Sequence, residues 1–438
     1  MNHKDKFFDV IVVGAGPAGL MAAKTSAEKG LEVLLVERKK IISKVKRTCC
    51  ASFYLESNYM SETTQEENGK LIFTKNGFTV NYSGSLWPIK EKYGFSPGGY
   101  KWHMVRFENE DYSKDTPLSL VLDKEALLDG LLGEIKNLGV NVMNGSMVKR
   151  IENTEKGVKV EINKEGVYLL IEGKKAIIAD GVNSHMVEGL GLNRNRKVMG
   201  ARGMFVEYVL KDCDVPYPNA VLNFTGGPIC KFGHILLWPN AEGLPRVLGV
   251  NSIAFSKDAK YPIAAIDYFM NESSCAPWFK HAKIIEKTGG SLVPRQAIAE
   301  PCLGNMLVIG DAAAFIEVQN QGAMMCGFRA GKAVFDELDG SEGFKNYVDW
   351  WKRSFEFNNP KLLKGMAVIP AFNIGGFTDE DIDYLFSLID GEDIYGTCSQ
   401  YKSVAAIWVA MDNHSETIKR EKPTLFKKVK KIMALISD

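Results

Sequence analysis

The sequence predicts an α/β chain in three parts: a buried parallel sheet with a glycine-rich first turn, an inserted antiparallel β region, and a helical C-terminal region. Three observations lead there. A nearly continuous β-branched run, Phe8-Asp9-Val10-Ile11-Val12-Val13, leads directly into Gly14-Ala15-Gly16-Pro17-Ala18-Gly19 and an Ala-rich helix. Two further apolar strands end in Asp180-Gly181 and Gly310-Asp311. Residues 195–295 are strand-rich and aromatic, and from residue 343 onward the pattern is helical.

The first strand has the composition of one buried on both faces. The helix runs from Pro17 to about Lys29 and stops at Gly30, and Leu31 to Val36 is the second strand. Residues 38–120 read as an insertion of short strands and loops. Lys124 to Leu138 places Leu127, Leu128, Leu131, Leu132, Ile135 and Leu138 at helical spacing. Val140 to Met143 begins a strand, and Val148–Ile151, Val158–Ile162 and Val167–Ile171 form a meander. Lys175–Ala179 and Met306–Ile309 are buried strands, and a helix from about Ala323 to Leu338 follows. The expected organisation is a discontinuous nucleotide-binding domain (1–190 with 296–340, including the insertion 38–120), a β-rich substrate domain (191–295) and a helical region (341–438).

Length and composition exclude several classes. At 438 residues the chain is too long for one simple domain. A net charge of +1 gives no global field to attract nucleic acid. The eight cysteines (49, 50, 213, 230, 275, 302, 326 and 398) include no CxxC pair, so no zinc or iron–sulfur site is expected. No apolar run is long enough to span a bilayer, and no secretory signal precedes the first strand. The expected setting is the reducing cytoplasm.

The glycine motif carries the first piece of chemistry. Gly14 permits the tight turn, Gly16 lets backbone amides approach a pyrophosphate, and Gly19 allows close helix–sheet packing. Pro17 and Ala18 open the helix, whose N-terminal N–H groups suit phosphates. Glu37, at the end of the second strand, can accept hydrogen bonds from both ribose hydroxyls and would repel a 2′-phosphate. Asp180 and Asp311 each stand at a strand end, where a carboxylate suits sugar-like hydroxyls. Either one alone also reads as a turn with an N-cap aspartate.

Taken as an ordered set, Gly14–Gly19, Asp180-Gly181-Val182-Asn183-Ser184 and Gly310-Asp311-Ala312-Ala313 resemble the fingerprints of a large FAD family. That family includes p-hydroxybenzoate hydroxylase, the geranylgeranyl reductases and the flavin halogenases, and the resemblance covers residues 8–340. It implies a Rossmann-like, p-hydroxybenzoate hydroxylase-like FAD-binding domain. Asp311 would bind the ribityl chain, with Gly310 beside it. Gly322, Ala323 and Met324 would place backbone N–H groups near flavin N1 and O2, which favours the reduced anion. Asp180 and Gly181 would be largely architectural, near the nucleotide. Arg38, Arg47 and Val148 complete the expected cofactor-binding set.

Among the branches, the geranylgeranyl reductases fit best. The hydroxylases usually carry His and Pro after Gly-Asp-Ala-Ala, where this chain has Ala314-Phe315-Ile316-Glu317-Val318. The halogenase Trp-x-Trp-x-Ile-Pro segment is missing. The reductase pattern keeps its length through Gln321-Gly322-Ala323-Met324 to Gly327-Phe328-Arg329-Ala330-Gly331. Its substrate-strand spacing returns as Gly233-His234-Ile235-Leu236-Leu237-Trp238-Pro239, with altered aromatics. The branch often has a cysteine near the flavin, and Arg47-Thr48-Cys49-Cys50 occupies that region. One departure is Leu120, where the family commonly has an arginine upstream of Asp123.

The resemblance implies FAD-dependent reduction, or the reverse dehydrogenation, of a C=C bond in an apolar, isoprenoid-like substrate. Hydride would come from flavin N5 and a proton from a nearby acid. Two alternatives stay open: a flavin monooxygenase, and an electron relay to quinone. No second nucleotide fingerprint is present, so NAD(P)H would bind transiently or a partner protein would deliver electrons. Cys49, Cys50 and His234 are the candidate catalytic residues, and Leu236, Leu237 and Trp238 the candidate substrate wall. Cys49 and Cys50 are otherwise two small buried residues, and His234 a structural histidine. In the tail, Leu425, Val429, Ile432 and Ile436 share a helical face among seven basic residues of 419–436. That helix either lies on the inner face of an anionic membrane or packs on the body with its lysines in water.

Overall fold

The structure is a computed structural model that describes residues 6–55, 60, 62–106, 117–200, 202–227, 233–252, 261–366, 372, 376–397 and 399–437. Cys230 and Cys398 lie outside the described residues.

Phe7–Val13 (β1) is almost wholly buried and pairs in parallel with Val33–Val36 (β2) on one side and with the end of Val167–Ile178 on the other. Asn141–Met143 extends the sheet beyond β2, and Met306–Val308 extends it in parallel along Val167–Ile178. Parallel register brings the C-terminal ends of these strands to one edge. Gly14, Glu37, Asp180 and Gly310 therefore converge there from four distant parts of the chain. The expected strands Val167–Ile171 and Lys175–Ala179 are one strand. Its first half closes a meander with Ser146–Thr154 and Gly157–Lys164, while its second half joins the parallel sheet.

Pro17–Glu28 (α1) covers this sheet, and the helix Gln319–Leu338 crosses α1 closely. Glycines make the crossing possible. A Cβ at Gly327 would lie 2.3 Å from the Ala18 carbonyl oxygen, and one at Gly331 2.9 Å from that of Ala22. The Gly-x-x-x-Gly spacing in that helix is thus a packing requirement.

The second sheet has eight strands and draws on more of the chain than residues 191–295. Its order is Lys283–Leu292, Gly203–Lys211, Pro245–Ser252, Gly233–Pro239, Ala220–Phe224, Glu91–Phe95, Lys101–Arg106 and Asp393–Gly396. Two of these strands come from the 38–120 insertion and one from the C-terminal region, which is therefore not purely helical. Open sheet edges accept any strand that presents unpaired backbone groups, whatever its place in sequence.

The tail also differs from a single surface helix. It is two helices, Ser415–Glu421 and Pro423–Ser437, separated at Lys422. Leu425, Val429 and Ile432 are buried against Trp408, Met411 and Phe386. Lys428 pairs with Asp381 at 2.8 Å and Lys430 with Asp412 at 2.9 Å. The apolar stripe is taken up by internal packing, as the packed-helix alternative expects, and leaves a basic outer face. Among the described residues no helix is long and apolar enough to cross a membrane.

Candidate active site

The first turn has the shape a phosphate loop needs. Gly14 sits at φ +99°, and its N–H donates to the Val36 carbonyl at 2.8 Å. A Cβ at Gly19 would lie 1.8 Å from the Gly14 carbonyl oxygen, so α1 starts directly against the turn. Gly16 is the N-cap of α1 with no side-chain cap, and the space beside its Cα is open. That opening keeps the α1 N–H groups accessible to an anion. Glu37 is buried and its two carboxylate oxygens accept from the Ala15 N–H at 2.7 Å and the Lys39 N–H at 2.8 Å. Glu37 thus shapes the loop as well as facing the cavity, a second role that spacing alone does not reveal.

A cavity of 360 Å³ runs along this edge, bordered by Gly14, Glu37, Arg38, Arg47, Val148 and Asp180. A second of 190 Å³ shares Val182, Asn183 and His185 with it and reaches Asp311 and Ala312. The two form a continuous track from Glu37 to the Gly-Asp motif. Asp180 Oδ2 accepts from the Met186 N–H at 3.3 Å, while its buried Oδ1 has no partner. Burial raises the Asp180 carboxyl above its ordinary range. Asp311 accepts from the Val318 N–H at 2.9 Å and is likewise raised by burial. These residues fit FAD: an open loop beside a helix start, a ribose acceptor, and two buried carboxyls awaiting hydroxyl donors.

The helix after Gly-Asp-Ala-Ala begins at Gln319, four residues earlier than the periodicity indicates. The amides of Gly322, Ala323 and Met324 are consequently inside the first turns, bonded to preceding carbonyls. The N–H groups free at this helix start are those of Gln319, Asn320 and Gln321. Gln319 itself is held at φ +60°, a strained conformation for a non-glycine residue.

Cys49 and Cys50 meet this helix start. Lys124, the first residue of the helix Lys124–Asn137 (α2), donates to the Cys49 sulfur at 3.2 Å, and Asn320 Nδ2 lies 3.7 Å from the same sulfur. The Cys50 thiol donates to Gln319 Oε1, and Gln319 Nε2 donates to Glu317 at 2.7 Å. Contact with Cys50, together with the Lys124 charge 3.2 Å away, holds the Cys49 thiol well below its ordinary range. Cys50 is held well above by that same contact and by burial, so it keeps its proton. Burial, with Asp311 and Cys49 nearby, pushes the Glu317 carboxyl up to about 8. Of the two thiols, Cys50 is thus the one placed to keep a proton.

Arg246 fixes the cysteines from the second sheet. Its two terminal nitrogens donate to the Cys49 carbonyl at 3.0 Å and the Cys50 carbonyl at 2.9 Å, and its guanidinium lies 4.6 Å over the Trp238 ring. Glu207, 3.9 Å away, balances its charge. Lys124, Glu317, Gln319 and Arg246 all escaped the sequence reading. The oddity of a buried charge on a strand, Pro245-Arg246-Val247-Leu248, is visible only once burial is known.

The substrate strand obeys the two-residue alternation of a sheet. Leu236 and Trp238 join Cys49, Ala51, Ile89, Val121 and Leu248 in one apolar cluster. Leu237 points to the opposite face with Ile235, into the core under the helix Tyr261–Asn271, and is removed from the proposed wall. His234 shares the face of Leu236, but burial pushes its imidazole down to about 4. It is neutral near pH 7 and is a poor proton donor.

Residues 8–224 match the family described as FAD binding domain. Over 361 residues the chain is 27% identical to a digeranylgeranylglycerophospholipid reductase of Methanococcus vannielii, covering 80% of this chain and 84% of that one. The corresponding reductase of Methanosarcina acetivorans is 26% identical over 392 residues, 86% and 87% of the two chains. Among solved structures, a geranylgeranyl bacteriochlorophyll reductase-like protein from Thermoplasma acidophilum superposes with a TM-score of 0.73 at 18% identity, over 98% and 99% of the chains. A flavin-dependent brominase shares the fold more distantly, with a TM-score of 0.59 at 17% identity over 94% and 100%. Motifs, cavity and relatives agree: the chain carries an FAD-binding domain and is similar along most of its length to reductases of the geranylgeranyl type.

Proposed function

We propose that this protein saturates C=C bonds in the isoprenoid chains of a lipid. The observation that carries the reading is the pairing of an apolar wall (Leu236, Trp238, Ile89, Val121) with a buried set of proton-bearing groups at the start of the helix Gln319–Leu338. Bound FAD, when reduced, would supply the hydride. The residues that would hold it are Gly14, Gly16, Glu37, Arg38, Arg47, Asp180 and Asp311.

The chain's own groups divide the remaining work. The apolar cluster orients a chain of low polarity and excludes water. Cys50 and Glu317 both hold a proton near neutral pH, and Gln319 links them. Either is a general acid matched to protonating a carbon. Lys124 and the Cys49 thiolate form an ion pair that keeps the cluster's charge balanced in a buried setting. Arg246 fixes the cysteine backbone so that the thiol faces the helix start. The monooxygenase alternative lacks the His and Pro of the hydroxylases and has no observation of its own in this site.

The relatives are named for phospholipid substrates, which supports a lipid here. The basic outer face of the tail would then give weak electrostatic contact with anionic headgroups, without insertion. Electrons would come from NAD(P)H bound transiently or from a carrier protein. The test is direct: purified protein should release FAD on denaturation. With its flavin chemically reduced, it should add hydrogen to a geranylgeranyl-bearing phospholipid, read by mass. Release of no flavin, or an unaltered lipid alongside a hydroxylated aromatic product, would overturn the reading.

A further inference from the structure

One protonated group suffices for the reaction proposed above, yet this site holds two adjacent cysteines, one with a lysine against its sulfur and the other with its thiol on Gln319. We propose that Cys49 and Cys50 are a second redox centre, a vicinal dithiol that closes to a disulfide by exchanging two electrons with the bound flavin. The inference rests on the FAD reading and goes beyond it.

The geometry supports each requirement. The two cysteines are consecutive in the chain, and their sulfurs meet neighbouring residues of one helix start, Asn320 and Gln319. Lys124, 3.2 Å from Cys49, stabilises the thiolate that must act as the electron donor. The thiol of Cys50 is aimed at Gln319, at the free end of the helix beside the Gly-Asp motif. Arg246 grips both cysteine carbonyls, and Ala51 follows at φ +52°, so the backbone of the dipeptide is held in place. Of the other described cysteines, Cys213, Cys275, Cys302 and Cys326 have no such cation against the sulfur, and burial raises all four thiols.

The step balances without a further reactant. The Cys49 thiolate and the Cys50 thiol lose two electrons and form the S–S bond. Oxidised FAD takes both electrons and the Cys50 proton to become FADH⁻, so one negative charge and one proton stand on each side. In reverse, reduced flavin reopens the disulfide. Closure removes both the thiolate and the Cys50 proton, so a protein starved of electrons would hold its acid in an inactive form.

The experiment is an anaerobic electron count on the flavin-loaded protein after treatment with diamide and its removal. Photochemical reduction should consume four electrons per FAD in the native protein and two in Cys50→Ser. Alkylation under denaturing conditions should find Cys49 and Cys50 blocked before reduction and free after it. A count of two in the native protein, with both cysteines open to alkylation throughout, overturns the proposal without reference to any variant. Flavin content is read separately from the visible spectrum. A flavin-loaded protein that takes only two electrons therefore sinks the redox pair alone, while a flavin-free protein sinks the parent reading.

Discussion

Lys124 Nζ and the Cys49 sulfur stand 3.2 Å apart, joining the start of α2 to a turn seventy-five residues earlier. The pair sets the reactivity of the site. Lys124→Met should raise the Cys49 thiol toward the ordinary range and slow its labelling by iodoacetamide at pH 7 about tenfold or more, since each pKa unit is a factor of ten in thiolate. Mass spectrometry of the labelled peptide reads the rate. An unchanged rate would mean that contact with Cys50 alone holds the thiol down.

Glu37→Ala should weaken FAD retention by about one to two decades, the loss of a charge-assisted pair worth roughly 1.5–3 kcal/mol. Because Glu37 also accepts from Ala15 and Lys39, the melting temperature of the flavin-free protein should fall as well. Retention measured by ultrafiltration together with apoprotein melting separates the two roles. A flavin-free protein of unchanged stability would show that the loop does not depend on Glu37.

Glu317 carries a proton up to about pH 8 because burial, then Asp311 and Cys49, oppose its charge. Donation from it is therefore available below that pH and lost as pH rises through it. In the same window, from the ordinary carboxyl range to about 8, the unfolded chain is ionised while the folded one is not. This group then costs progressively more stability as pH rises. The single-turnover rate of lipid reduction should fall above pH 8 in the native protein, and Glu317→Gln should lose that limb. A limb near pH 8 that survives in Glu317→Gln would show that Glu317 is not its source.

Leu236 and Leu237 are neighbours with opposite duties. Leu237→Ala, at a position 1% exposed, should cost about 2–5 kcal/mol of stability with little effect on substrate KM. Leu236→Ala should raise KM with a small stability change. Urea melts and steady-state kinetics on the two variants check this, and equal behaviour would argue against the alternation.

In the tail, Val429→Asp places an unpaired carboxylate in a fully buried position and should unfold the C-terminal region or lower the melting temperature sharply. Lys431→Glu, on the outer face, should leave melting unchanged and reduce only salt-sensitive sedimentation with anionic vesicles. Vesicle binding that persists at high salt would point to insertion instead.

Read from sequence alone, the chain already yielded its first strand, turn and helix, the Gly-Asp end of a later strand, and the acid Glu37 at the end of the second strand. These features are local: β-branched runs, glycines at fixed offsets and an acid at a strand end are dictated by backbone sterics and by a phosphate's need for free amides. The reductase branch was legible for the same reason, since its motifs keep their spacing. Tertiary structure decided everything that depends on which side of an element faces what. Alternation turned Leu237 away from Cys49, and internal packing buried the tail's apolar stripe. Long-range pairing recruited Lys101–Arg106 and Asp393–Gly396 to the second sheet. Protonation was the least legible of all. Cys49 and Cys50 are the same residue type side by side, and their different neighbours in space, Lys124 against one and Gln319 against the other, push their thiols in opposite directions. A side chain's electrostatics is set by its neighbours in space, and those neighbours come from α2, the helix Gln319–Leu338 and the strand Pro245–Ser252, far from the cysteines in sequence.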